Sequence, residues 1–198
     1  MHLPTRKLAR LGTLAAIPLA LLGAGVLVST ASYSAFSATT SNGTNNWTAG
    51  TVALKNDLPN SAAFTADNLK PGSAGSNCIV VTSSGSLPAS VKLYATTATQ
   101  TNSLGSWVNL HVTQGTGGGN GTCSGFTAIP NSATYNNTLD AFITNSTSFG
   151  TGFGDWVTSG ANSEPRTYRI SFDVAGNAPS SAMGGTVKLN FTWEAQNQ

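Results

Sequence analysis

Two stretches near the C-terminus decide the reading of this chain: Tyr168-Arg169-Ile170-Ser171-Phe172-Asp173-Val174 and Val187-Lys188-Leu189-Asn190-Phe191-Thr192-Trp193-Glu194. In each, every second residue is apolar or aromatic and the residues between are polar. That two-residue period puts one face of a strand on a core and the other in water. Val91, Leu93 and Ala95 alternate in the same way with Lys92, Tyr94 and Thr96. Val108, Leu110 and Val112 alternate with Trp107, Asn109 and His111. Cys78-Ile79-Val80-Val81 reads as a more buried strand, and a further one begins near Trp47 and ends at Val52 and Leu54. Breakers separate these runs: Pro71-Gly72, Gly85 with Pro88, Gly115 to Gly121, Gly150 to Gly154, Pro165, Pro179 and Gly184-Gly185. Short strands with such turns predict an all-β, antiparallel, jelly-roll-like β-sandwich. Thr138 to Ile143 is the best candidate for a short helix, one or two turns over a sandwich end. The four alternating residues of each C-terminal strand are all expected to face inward.

The N-terminus reads differently. Arg6, Lys7 and Arg10 precede an apolar stretch from Leu11 to Val28, and small residues follow at Ser29, Thr30, Ala31 and Ser32. These are the three regions of a secretory signal peptide. Residues 1–34 are therefore expected to form an export signal with a helical apolar segment, cut after Ala31 or after Ser34. Residues 35–198 then form one β-sandwich domain. A retained membrane anchor is the alternative, since the stretch approaches the length needed to span a bilayer; Pro18 in its middle favours cleavage.

Charge narrows the function. Only 8% of the 198 residues are charged, while 39% are hydrophobic, and the formal net charge is +2. Three of the nine basic residues lie in the signal, which leaves six against seven acidic side chains. A chain so nearly neutral lacks the basic field that nucleic acid requires. Its composition also differs from that of a disordered segment, which combines low hydrophobicity with high net charge.

Cys78 and Cys123 are the only cysteines. In an exported protein an even count reads as a disulfide; free thiols or half of a metal site are the alternatives. His111 is the only histidine outside the signal, too few for the usual zinc ligand set. The run Gly115-Thr116-Gly117-Gly118-Gly119-Asn120-Gly121 has Asn120 where a dinucleotide fingerprint needs glycine, and no Lys-Ser/Thr follows, so it reads as a surface loop. There is no G-x-S-x-G elbow and no H-E-x-x-H helix. Asp57, Asp67, Asp140, Asp155, Asp173, Glu164 and Glu194 are scattered without calcium-loop spacing. No catalytic residue, metal ligand or cofactor is nominated. Trp107, on the outward parity of its strand, is a candidate platform for a glycan, whereas Trp193 has core parity.

Four stretches, taken in order, carry a resemblance. Ala35-Phe36-Ser37 follows the signal, and Trp47 to Leu54 comes next. Leu69-Lys70-Pro71-Gly72 leads toward the turn Ser84 to Ala89. The chain ends with Arg166 to Phe172, Gly184-Gly185-Thr186-Val187 and Phe191 to Gln196. Together they resemble the TasA/camelysin family of bacterial surface and biofilm-matrix proteins, exported with a SipW-type signal peptide. The resemblance implies a jelly-roll domain that assembles into extracellular fibres. The segment after the cleavage site, here Ala35, Phe36, Ser37, Ala38, Thr39 and Thr40 and on to about Asn46, would complete a sheet of the next subunit. Phe36 is its apolar anchor. Strand addition of this kind works through main-chain hydrogen bonds to an exposed edge. Expected partners are other copies of the chain, matrix polysaccharide or other surface proteins, and a signal peptidase during export. A monomeric carbohydrate-binding or adhesion module is the second reading. A camelysin-like secreted metallopeptidase is the third, and the single histidine outside the signal departs from it.

Overall fold

In a computed structural model, residues 50–59, 61–64 and 68–198 are described. The export signal, the candidate donor segment and Trp47 lie outside the described residues. Nine strands follow in chain order: β1 (Leu54–Asn56), β2 (Ala74–Ser83), β3 (Ala89–Gln100), β4 (Val108–Thr116), β5 (Thr127–Ala128), β6 (Thr134–Thr138), β7 (Phe153–Thr158), β8 (Glu164–Val174) and β9 (Val187–Asn197). They form two antiparallel sheets. The larger runs β1-β2-β8-β4-β5, with β6 also on β4, and the smaller runs β7-β3-β9. Consecutive strands repeatedly fall on opposite sheets, as in a jelly-roll-like sandwich: β2, β3 and β4 alternate, and so do β7, β8 and β9.

The alternation read from sequence sets which side chains meet between the sheets. Ile79 and Val81 of β2, Val91, Leu93 and Ala95 of β3, Val108, Leu110 and Val112 of β4 and Tyr168, Ile170 and Val174 of β8 are all buried. A fully buried aliphatic side chain of this kind stabilises the fold by about 1.5–3 kcal/mol. The short helix α1 (Leu139–Asn145) forms where expected, because the Thr138 hydroxyl accepts a hydrogen bond from the Ala141 N–H at 3.1 Å and caps its first turn. Its Phe142 is completely buried and stacks edge-on against Tyr135, with centroids 5.1 Å apart.

Three details differ from the sequence reading. The N-terminal strand lies later than expected: β1 begins at Leu54 and ends at Asn56, paired to Ser83–Val81 of β2. Trp107 closes a 3-10 turn, Leu104–Trp107, and the strand proper starts at Val108. The apolar residues of β9 are only half-buried, because β9 is the outermost strand of its sheet and no described strand pairs with its far edge.

Candidate functional site

The two lateral sides of the sandwich are built differently. On the side of β4 and β7 a buried polar group ties the sheets together. Gln114, fully buried on β4, donates to Asp155 Oδ1 of β7 at 2.6 Å and to the Ala133 carbonyl at 3.3 Å. Its own Oε1 accepts from Arg166 of β8 at 3.4 Å, and that guanidinium lies 5.3 Å from the centre of the Trp156 ring. Partial burial pushes the Asp155 carboxyl upward, but hydrogen bonds from the Ala133 N–H and Gln114 outweigh it and hold the carboxyl below its ordinary value. A buried amide bonded at both ends closes this side, since leaving either partner unmatched would cost about 1–3 kcal/mol.

On the side of β1 and β9 the described residues leave a gap between the sheets. A cavity of about 1230 Å³ separates the first half of β9 from Leu58, Phe64 and Leu69. Val187, Leu189, Phe191 and Trp193 line it from β9, and Ile79, Leu110 and Phe172 from the opposite sheet. The indole Nε1 of Trp193 is buried and has no acceptor among the described residues. Met183, at the rim, is 74% exposed. β1 approaches the middle of β9 near Phe191 and Trp193 without pairing to it.

Cys78 and Cys123 form a disulfide, with Cα atoms 5.0 Å apart. It fastens the glycine-rich loop onto β2. The same loop is held by the Gly121 N–H donating to the Cys78 carbonyl at 3.1 Å and by Asp57, whose carboxylate accepts from the Val80 and Asn120 N–H groups. Gly115 and Thr116, part of the run read as a surface loop, instead end β4, and Gly117 to Gly121 form the pinned turn.

The outer face of the larger sheet brings together polar residues that are far apart in sequence. Register places Ser171 opposite His111 and Asp173 opposite Asn109, with Asn136 of β6 on the other side of His111. His111 Nε2 lies 2.8 Å from Asp173 Oδ1, and the Asn109 amide donates to Asp173 Oδ2 at 2.9 Å. Those two bonds, Asn109 first and His111 second, hold the Asp173 carboxyl below its ordinary range. Ser171, His111 and Asp173 share this face, yet among the described residues no hydrogen bond joins Ser171 to His111. The histidine nitrogen nearest a partner is engaged by the carboxylate, and a nucleophile with its base needs the hydroxyl in reach of that ring. Among the described residues no three His, Cys, Asp or Glu side chains converge as a metal ligand set.

Of the residues singled out from sequence, the cysteines meet and His111 and Asp173 point outward as their parity required. Trp107, the candidate platform, is half-buried in the 3-10 turn that leads into β4. Strand parity alone could place His111 and Asp173 outward; only the register between β4 and β8 could pair them. A scan against protein-family models matches none of them, and a search of curated proteins likewise returns no match.

Proposed function

We propose that this protein is an exported structural subunit of the cell surface or extracellular matrix, and that it assembles by strand addition, the segment Ala35 to Asn46 of one copy completing a sheet of the next. The observation that carries this reading is the unfinished side at β9. Eleven residues of edge strand have no strand partner beyond them among the described residues, and their apolar row stands half-buried over the cavity. An uncapped strand edge is a template for another chain, and natural proteins ordinarily blunt it with charge, proline or a covering loop. β9 carries only Lys188 and Glu194 as charges and no proline. An incoming strand would supply main-chain partners along that edge, a carbonyl within the reach of Trp193 Nε1, and a place for Phe36 in the cavity. The donor is freed only after export and cleavage, so assembly is confined to the outside of the cell.

Electron microscopy of the secreted protein, with and without residues 35–46, tests the reading. Fibres from the intact chain and monomers from the shortened one are expected; monomers from both would overturn it.

A further inference from the structure

We propose that the outer face of the larger sheet, between Trp107 and Phe126, is a binding surface for a neutral polysaccharide. This goes beyond self-assembly and uses the side of the molecule away from the smaller sheet.

The two ends of the surface are aromatic. Trp107, half-buried, ends the 3-10 turn that leads into β4, and its carbonyl accepts from the Ala175 N–H at 2.8 Å, which fixes it beside the end of β8 at the Asn109 end of the face. At the other end the Phe126 ring lies directly on Gly115. A Cβ at that glycine would stand 2.4 Å from the ring, so only glycine lets the aromatic come this close to the strand. The guanidinium of Arg169, a neighbour on β8, lies 4.8 Å from the centre of the same ring. From Trp107 to Gly115 is eight steps along one strand, roughly 27 Å at ~3.4 Å per residue, room for several sugar rings in a row.

Between the aromatics stand Asn109, His111, Asp173 and Asn136, all on strands rather than loops. Asn109 and His111 hold Asp173 in place, so little side-chain freedom remains to be lost when a ligand binds. Each Asp173 oxygen accepts one of these bonds and retains a lone pair for a hydroxyl donor. His111 and Asp173 have 37% and 43% of their side-chain surface open to water. Paired carboxylate oxygens flanked by amides, with an aromatic ring nearby, match vicinal hydroxyls and the apolar faces of pyranose rings.

Charge selects the class of polymer. The ionisable groups that β4, β6 and β8 present on this face are Arg169, His111 and Asp173. Arg169 and Asp173 are opposite in sign, the carboxylate is engaged by Asn109 and His111, and the guanidinium lies over the Phe126 ring. What remains is a field of dipoles without a basic stripe, which suits an uncharged chain and would not hold an acidic one.

Co-sedimentation of the secreted protein with insoluble cellulose, chitin and a β-1,3-glucan, with an acidic polymer as control, tests the assignment. Retention on at least one neutral polymer is expected. Trp107→Ala and Asp173→Ala should each weaken it about tenfold or more, equivalent to one good contact. Asn136→Arg, at an exposed position, should block the face while leaving the melting temperature near that of the parent, which separates lost binding from lost folding. Tyr94→Ala on the opposite sheet and removal of residues 35–46 should leave retention unchanged; the latter keeps this outcome distinct from that of fibre assembly. Failure on every neutral polymer, retention on the acidic one alone, or full retention by the face variants would overturn the proposal. So would face variants that change only the oligomeric state, which would give the surface to a second copy of the chain.

Discussion

Strands β8 and β9 have almost the same pattern and different fates. Tyr168 and Ile170 of β8 are completely buried, whereas Val187, Leu189, Phe191 and Trp193 of β9 remain half-open. β8 lies between β2 and β4, with the smaller sheet across its inner face. Among the described residues β9 has β3 on one edge only, and part of its inner face looks into the cavity. Alternation therefore says which side chains turn inward, and the neighbours decide how much water they lose. The same contrast divides the two sides of the sandwich among the described residues, one tied by Gln114 and its charged partners and the other bordered by the cavity.

The sharpest way to break this comparison is to cut equivalent side chains from the two strands. Ile170→Ala should cost about 2–5 kcal/mol in urea unfolding, because it removes buried methylenes and leaves a hole. Leu189→Ala in the unassembled protein should cost about 1 kcal/mol, since that side chain is already partly hydrated. Equal losses would show that the cavity is filled in solution. If the proposed strand addition occurs, the assembled protein should be more sensitive to Leu189→Ala than the monomer is.

Removing the disulfide comes next in size. Replacing both Cys78 and Cys123 with serine frees a loop of about 46 residues and should lower stability by up to about 4 kcal/mol on chain-entropy arithmetic. Hydrogen exchange should then rise first in β2 and the glycine-rich loop, with β9 amides already the fastest among the long strands. Protection of β9 equal to that of β8 would contradict an open edge.

Gln114→Ala tests the closed side. It leaves Asp155 and Arg166 short of a partner and should cost about 1–3 kcal/mol in thermal or denaturant melts. The smallest effect belongs to the outer face. The folded pKa of Asp173 lies below its unfolded value near 3.8, so its pairing stabilises the protein above about pH 4 and loses that effect as pH falls through the folded value. Because both partners are open to water and salt, the gap in stability between parent and Asp173→Asn should be no more than about 1 kcal/mol at neutral pH and should close in acid. A gap that widens toward acid would reverse the assigned sign.

The outer face of the larger sheet shows where one-dimensional reading runs out. His111 and Asp173 are 62 positions apart, and each by itself is an unremarked polar residue on the wet side of a strand. Phe126 sits in a loop, and nothing about its sequence context suggests a ring laid on Gly115. The Gln114 contacts were equally hidden, since a glutamine on core parity looks like an interruption until Asp155 and Arg166 are brought to it.

Local chemistry, set by period-two alternation and by turn residues, determined that the chain makes short strands, which face of each is apolar, and where Thr138 starts a helix. The even cysteine count in a chain with an export-like leader was enough to suggest the Cys78–Cys123 bond. Tertiary structure alone decided the register of β4 against β8, the place of β9 at the edge of the described smaller sheet, and which side Gln114 ties. These depend on contacts between residues tens of positions apart, whose free energy is shared among whole strands and is not encoded in any single segment.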